Sequence, residues 1–312
     1  MTDLSGQFNQ LLAGASLGLE IGAHAWPVPG VSPYYLDRVA TYAGVEGTVD
    51  LLGDGRFLPV PSGALDYLCS SHVLEHLADP VSAVLEWARA LRRGGLLYLV
   101  VPDKRHTFDE PRETTSPAHM IRDFLDGPSD EENLEHVREF VYDSDWARLA
   151  PGEPPGNREA HYRYQREQLA SPDGADIHYH TFEPETLVAL LRQAGITGGL
   201  RPVFRPLRIE QRHPPGRDDG IGLLLEKRTG PQRATIRGSG RFQKKGDSRP
   251  PLPLACPVTL RPLEARPQGF AVIGDPTVTY AYREGRPDLR PPPDSTPRRP
   301  WNHRWRRRLR LA

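Results

Sequence analysis

The 312 residues carry 40 Lys and Arg against 40 Asp and Glu, but residues 231–312 hold 18 of the basic and only 6 of the acidic side chains, so an acidic body precedes a basic tail. Two cysteines, Cys69 and Cys256, supply no disulfide framework, and no apolar run approaches the roughly 20 residues that cross a bilayer. The first ten residues, MTDLSGQFNQ, lack the cationic and then apolar pattern of a secretory signal, so a cytoplasmic location is expected.

Short apolar runs then alternate with helix-like segments, the pattern of βαβ units around a parallel sheet buried on both faces. Strands are predicted at residues 17–21, 34–36, 48–51, 65–69 and 96–101. The clearest helix opens at Asp79-Pro80, a side-chain cap followed by a first-turn proline, and its last turn is read at Arg92-Arg93-Gly94-Gly95. Val81, Val84, Leu85, Ala88 and Leu91 recur along it at helical spacing and face the sheet. A second helix is predicted over 184–194. Strands at 200–209 and 221–226 follow it as an antiparallel finish.

Residues 103–180 are rich in charge, His and aromatics and follow the fifth strand. In open α/β sheets ligands bind outside the carboxyl ends of strands, so this insertion is expected to form a lid or substrate region. Beyond Gly230 the composition turns to Pro, Gly and Arg, with little apolar surface to offset chain ordering, and disorder is predicted for 231–312. Its end, with Trp301, Trp305 and the arginines from Arg304 to Arg310, either contacts nucleic acid or an anionic surface or is an extension without function.

Chemistry concentrates at the predicted strand ends. The first strand delivers Glu20-Ile21-Gly22, and seventeen positions after Glu20 the second strand ends in Asp37. An acid at that tip can accept both hydroxyls of a ribose, and Gly22 permits close backbone approach, which points to a nucleoside-containing cofactor. Asp54, within Gly53-Asp54-Gly55, is placed to accept from an adenine amine with Phe57 or Leu58 against the ring, and Ser71 and His72 share the rim. Each aspartate also has the simpler reading of a turn cap.

The succession Leu19-Glu20-Ile21-Gly22, Asp37, Asp54 with Leu58-Pro59, Asp66-Tyr67, His72 to Leu77 and Leu91 to Leu97 resembles the class I S-adenosylmethionine-dependent methyltransferases, in particular a bacterial branch with a type 11 core. The run Val101-Pro102-Asp103-Lys104-Arg105-His106-Thr107-Phe108-Asp109 looks like a signature of one sub-branch. The resemblance covers roughly residues 17–227. It implies a doubly wound, seven-stranded, mostly parallel α/β sheet over 1–230, with 103–180 as its lid.

It also implies methyl transfer from S-adenosylmethionine to O or N of a small-molecule or glycan-like acceptor. Glu20, Gly22, Asp37, Asp54, Gly55, Ser71 and His72 are then the expected cofactor contacts, Glu20 toward the methionine amino group. His72, His106 and Asp103 are the catalytic candidates, and Arg105, Asp109, Arg112, His178 and His180 the acceptor contacts, although Asp103, Arg105, His106, Asp109 and Arg112 also have the simpler reading of a solvated, salt-bridged loop. His76 reads as a structural hydrogen-bonder. His178 and His180 alternate and are expected to point to one side of an extended segment, where with His119, His136 or His161 they could also hold a divalent metal. No cysteine or carboxylate pattern completes such a set, and no metal is expected.

One departure stands out. Where the family has a glycine loop leading into a helix, this chain has Gly22-Ala23-His24-Ala25-Trp26-Pro27-Val28-Pro29-Gly30, with Pro33 beyond. Prolines cost ~3 kcal/mol or more inside a helix, so no first crossover helix is expected, and His24 or Trp26 either serves as a wall instead or belongs to a tight packing loop. The alternative that follows is a non-catalytic descendant that keeps the fold as a binding or scaffold module.

Overall fold

The computed structural model describes residues 3–12, 17–42, 44–171, 174–198, 202–229, 241–244, 246–292 and 295. Its centre is a seven-stranded sheet of β1 (Gly18–Ile21), β2 (Tyr34–Asp37), β3 (Leu51–Leu52), β4 (Leu65–Ser71), β5 (Leu91–Pro102), β6 (Phe204–His213) and β7 (Gly220–Lys227). The strand order is β3-β2-β1-β4-β5-β7-β6. The first five run parallel, β7 is antiparallel to β5 and β6 antiparallel to β7. This is the doubly wound α/β architecture expected.

Parallel strands buried on both faces read as continuous apolar runs, and Leu96 to Val101 of β5 are all buried. Before β1, helix α1 (Leu4–Leu11) buries Leu4 and Phe8 against the sheet. Helix α2 (Pro80–Ala90) starts as predicted, with Asp79 Oδ1 accepting from the Ser82 N–H at 2.9 Å. It ends earlier than predicted: Leu91 is already extended, and Arg92 to Gly95 belong to β5. Between β1 and β2 the chain forms no helix, in keeping with Pro27, Pro29 and Pro33.

The insertion after β5 is helical: α3 (Pro117–Asp126), α4 (Asp130–Tyr142), α5 (Trp146–Leu149) and α6 (Arg158–Gln168). It has its own small core of Val137, Phe140, Val141, Trp146, Ala175, Ile177 and Tyr179. Helix α7 (Pro184–Gln193) then returns the chain to the sheet.

The expectation of disorder over 231–312 is corrected between 241 and 292. Strands Leu263–Arg266, Gly269–Val272, Asp275–Arg283 and Arg286–Pro287 form a four-stranded antiparallel sheet. Leu252, Leu254, Cys256, Phe270, Val272 and Leu289 are buried in the same core cluster as Leu36, Leu51 and Leu58. The Leu289 N–H donates to Leu52 O at 2.7 Å and the Ala255 N–H to Pro59 O at 2.9 Å. The segment thus covers the outer strand β3, whose edge would otherwise present unpaired backbone groups. Arg249 lies over the Tyr34 ring, 4.1 Å from its centroid, and pairs with buried Asp50 at 2.8 Å. Composition hid this, because the apolar side chains are few but sit where a core lacks them. Residues 231–240 and 296–312, including Trp301, Trp305 and the terminal arginines, lie outside the described residues.

Candidate cofactor and acceptor cavity

A cavity of about 570 Å³ opens at the carboxyl ends of β1 to β4 and is closed on its far side by the insertion. Gly22, Asp37, Asp54, Gly55 and His72 all line it, together with His24, Arg38, Tyr42, Arg56 and His76. Glycines make its floor. Gly22 sits at φ +68°, and a Cβ there would stand 2.5 Å from Val73 Cγ2; a Cβ on Gly55 would stand 2.9 Å from Ile21 Cγ2. The strand ends therefore have no room for side chains, which brings the backbone itself to the cavity.

Asp37 ends β2, with Oδ1 accepting from the Arg38 N–H at 2.7 Å. Burial pushes its carboxyl up. Asp54 is held differently. Arg56 clasps both its oxygens, through Nε at 3.0 and 3.1 Å and Nη2 at 2.7 Å, while the Arg56 N–H adds a bond of 2.8 Å. Burial opposes the charge of Asp54, but Arg56 outweighs it and keeps the carboxyl below its ordinary value. Bidentate arginine–carboxylate pairs of this kind are among the stronger hydrogen-bonded contacts.

Among the expected cofactor contacts, two do not reach the cavity. Ser71, at the tip of β4, is absent from its lining. Glu20 is fully buried and turns toward the proline loop, where Oε1 accepts from the Val28 N–H at 2.9 Å and Oε2 has no partner. Burial, only partly offset by that one bond, pushes its carboxyl up to about 7. The loop that replaced a helix has taken Glu20 as its anchor. Of the two wall candidates, His24 lines the cavity, whereas Trp26 is 77% exposed and does not.

The predicted catalytic pair Asp103 and His106 is likewise not at the cavity. Asp103 is fully buried and gripped by Arg105 through Nε at 2.8 Å and Nη2 at 2.6 Å. Asp109 and Arg112 pair at 2.7 Å in the interior, and His178 Nδ1 lies 2.6 Å from the other oxygen of Asp109. Burial opposes the charge of His178, yet Asp109 holds the imidazole above its ordinary value. These expected acceptor contacts instead form a buried brace between the 103–112 segment and the insertion. His178 and His180 meet different partners, since His180 joins His119 and His136. His161 packs instead near Phe140 and Trp146.

His72 is the predicted catalytic residue that does line the cavity. Its Nδ1 lies 3.6 Å from Glu75 Oε1 and its Nε2 3.9 Å from Asp219 Oδ1, so carboxylates flank the ring without a hydrogen bond. Glu75 is fully buried and neither of its oxygens has a hydrogen-bond partner. Burial works against its charge, but His72, His76 and His178 around it keep its carboxyl below the ordinary value. Sequence reading missed Glu75, which sits inside the quoted His72 to Leu77 run without an evident partner.

It also missed the far wall. Asn133, Tyr164, Gln165, Asp176 and Tyr179 line the cavity from the insertion, and the Tyr42 hydroxyl donates to Asp176. No local motif announces them, because the helices that carry them acquire this orientation only when packed. Among the described residues no helix is long and apolar enough to cross a membrane.

A family model described as a methyltransferase domain matches residues 30–99. An uncharacterized 37.1 kDa protein in a transposon of Streptomyces fradiae is 41% identical over 69 residues, a stretch that is 22% of this chain and 20% of that one. The match thus spans about a fifth of that relative. Among solved structures, a SAM-dependent methyltransferase of Thermotoga maritima, titled a possible histamine N-methyltransferase, is 18% identical with 71% of this chain and 86% of that chain covered, at a TM-score of 0.38. A SAM-dependent methyltransferase of Methanosarcina mazei is 15% identical, with 73% and 100% covered and a TM-score of 0.40.

Proposed function

We propose that this chain, with a methyltransferase-domain match over residues 30–99, is an S-adenosylmethionine-dependent methyltransferase acting on O or N of a small polar or glycan-like acceptor. The observation that carries the reading is that Asp37 and Asp54, from the ends of neighbouring strands, line one cavity together with Gly22 and His72. The cavity volume lies within the ~300–1,000 Å³ of small-molecule sites. The cofactor, when bound, supplies a methyl group on a positively charged sulfur.

Asp37 accepts from the ribose hydroxyls. Gly22 and Gly55 admit the nucleoside to the backbone, and Ile21, Leu36 and Val39 provide apolar lining. Asp54 meets an adenine amine only if Arg56 lets go, so its first role is to fix Arg56 in the cavity wall. Asn133, Tyr164, Gln165 and Asp176 offer hydrogen bonds to a hydroxylated acceptor. His72 is the base, and Glu75 and Asp219 on either side are placed to balance the charge that it gains with a proton. Methyl transfer also gains from positioning alone, so loss of His72 should lower the rate without abolishing it.

Calorimetric titration with S-adenosylmethionine tests the reading. Saturable binding that Asp37→Ala weakens supports it, and mass spectrometry of a co-purified ligand would identify the acceptor. Absence of binding, with or without candidate acceptors, would leave the non-catalytic scaffold that the proline loop and the Arg56-bound Asp54 favour.

A further inference from the structure

Three histidines distant in the chain meet Asp123 where α3, α4 and the segment leading to α7 converge. His119 and Asp123 stand one turn apart on α3, and His119 Nε2 lies 3.4 Å from Asp123 Oδ2. His136, from α4, brings its Nε2 within 3.4 Å of the same His119 nitrogen. His180 Nε2 lies 3.7 Å from Asp123 Oδ2, and one ring nitrogen from each of the three histidines lies within 4.8 Å of the others. Asp123, His136 and His180 are 1%, 4% and 0% exposed.

The polar groups in this cluster lack partners. Neither oxygen of Asp123 accepts a hydrogen bond, and the Nδ1 atoms of His136 and His180 are also unpartnered. A bare buried carboxylate is costly unless a neighbour compensates its charge.

We propose that His119, His136, His180 and Asp123 form a site for one first-row divalent cation of the zinc class. Around a tetrahedral zinc with ligands at about 2.0–2.2 Å, neighbouring ligand atoms stand ~3.3–3.6 Å apart, and the two 3.4 Å separations from His119 Nε2 to His136 Nε2 and to Asp123 Oδ2 fit that shell. Three imidazoles and one carboxylate suit zinc, cobalt, nickel or iron better than magnesium or calcium. Support lies outside the shell: the Ala78 carbonyl is 3.2 Å from His180 Nε2, which leaves the unpartnered Nδ1 of that ring to ligate, and Glu139 Oε2 is 3.7 Å from His136 Nδ1. The partly exposed His119 gives an entry path. Arg122 now donates to His119 Nδ1 at 3.1 Å, which keeps the proton on Nε2. Loading moves that proton to Nδ1 and turns Arg122 toward Glu132, whose Oε1 is 3.6 Å away. A second cluster, Glu75, His76 and His178, belongs to the cavity already described, and its His178 is committed to Asp109.

Such a cation would tie α3, α4 and the segment carrying Tyr179 into one unit beside the cavity. The test uses the tag-free full chain, stripped with a chelator and titrated with zinc and, separately, cobalt. One zinc per chain, a thermal midpoint that rises on loading, and the strong visible bands of four-coordinate cobalt are expected. His119→Gln, at the partly exposed position, should weaken zinc binding by at least ~10-fold. His136→Ala should remove the cobalt bands, while His161→Gln should leave both readouts unchanged. Absence of stoichiometric binding to the intact chain overturns the site. So does binding that survives His119→Gln and His136→Ala but is lost in His76→Gln. Because the readouts are binding and spectra, they do not depend on methyl transfer.

Discussion

The hydroxyl of Tyr42 is bonded to the carboxylate of Asp176, joining positions 134 residues apart. One belongs to a small hairpin beyond β2 and the other to the insertion, and both line the cavity. This bond is a latch between the sheet and its cover. Tyr42→Phe should leave the fold intact and speed dissociation of a nucleoside ligand by a few-fold, together with faster amide exchange around residues 174–179. Stopped-flow binding and hydrogen exchange check both. Unchanged values would reduce the contact to a surface detail.

Gly22→Ala should be severe. The substitution demands a left-handed backbone from alanine and puts a methyl group 2.5 Å from Val73 Cγ2. The cost is on the order of 2–4 kcal/mol in stability, with loss of cofactor binding. Denaturant melts measure the first and calorimetry the second.

Glu20 makes stability depend on pH in a direction unusual for a carboxylate. Its folded value of about 7 stands above the ordinary 4.5, so between those limits the native state keeps a proton that the unfolded chain releases. Stability therefore falls as pH rises through that window, and the full cost is present above it. Glu20→Gln has no such proton to lose. Its advantage over the wild type should be small at pH 4.5 and grow to at most about 3 kcal/mol by pH 8. Urea melts across that range decide it; a constant difference would contradict the assignment.

The strands were legible because a doubly covered parallel sheet needs uninterrupted apolar runs, and few other folds would place them so regularly. Edges were less so. The third strand was expected over 48–51 and lies at Leu51–Leu52, and α2 stops at Ala90 because Leu91 begins β5, an exchange that the glycines beyond did not signal. At the site, Gly22, Asp37 and His72 were readable since strand tips fix them locally. His178 and His180 were not, because packing of α3 and α4 sends one to Asp109 and the other to His119 and His136. Glu20 misled for a related reason: its neighbours along β1 suggest the cavity, while its actual partner is the Val28 backbone.

Leu254 tests how far the C-terminal segment matters to the sheet. It is fully buried in the shared core, so Leu254→Ala should cost ~2–5 kcal/mol, as much as a truncation inside the sheet itself. Thermal unfolding should remain a single transition. Two separate transitions, with the sheet melting as in the wild type, would show that the segment folds independently.

The proline loop after Gly22 carries a consequence for discrimination among nucleosides. A helix starting there would direct its amide groups and its dipole at an incoming carboxylate. This chain has an irregular turn instead, and Glu20 is committed to holding that turn. Recognition then rests on the sugar and base more than on the amino-acid arm, and 5′-methylthioadenosine, which lacks that arm, should compete almost as well as S-adenosylhomocysteine.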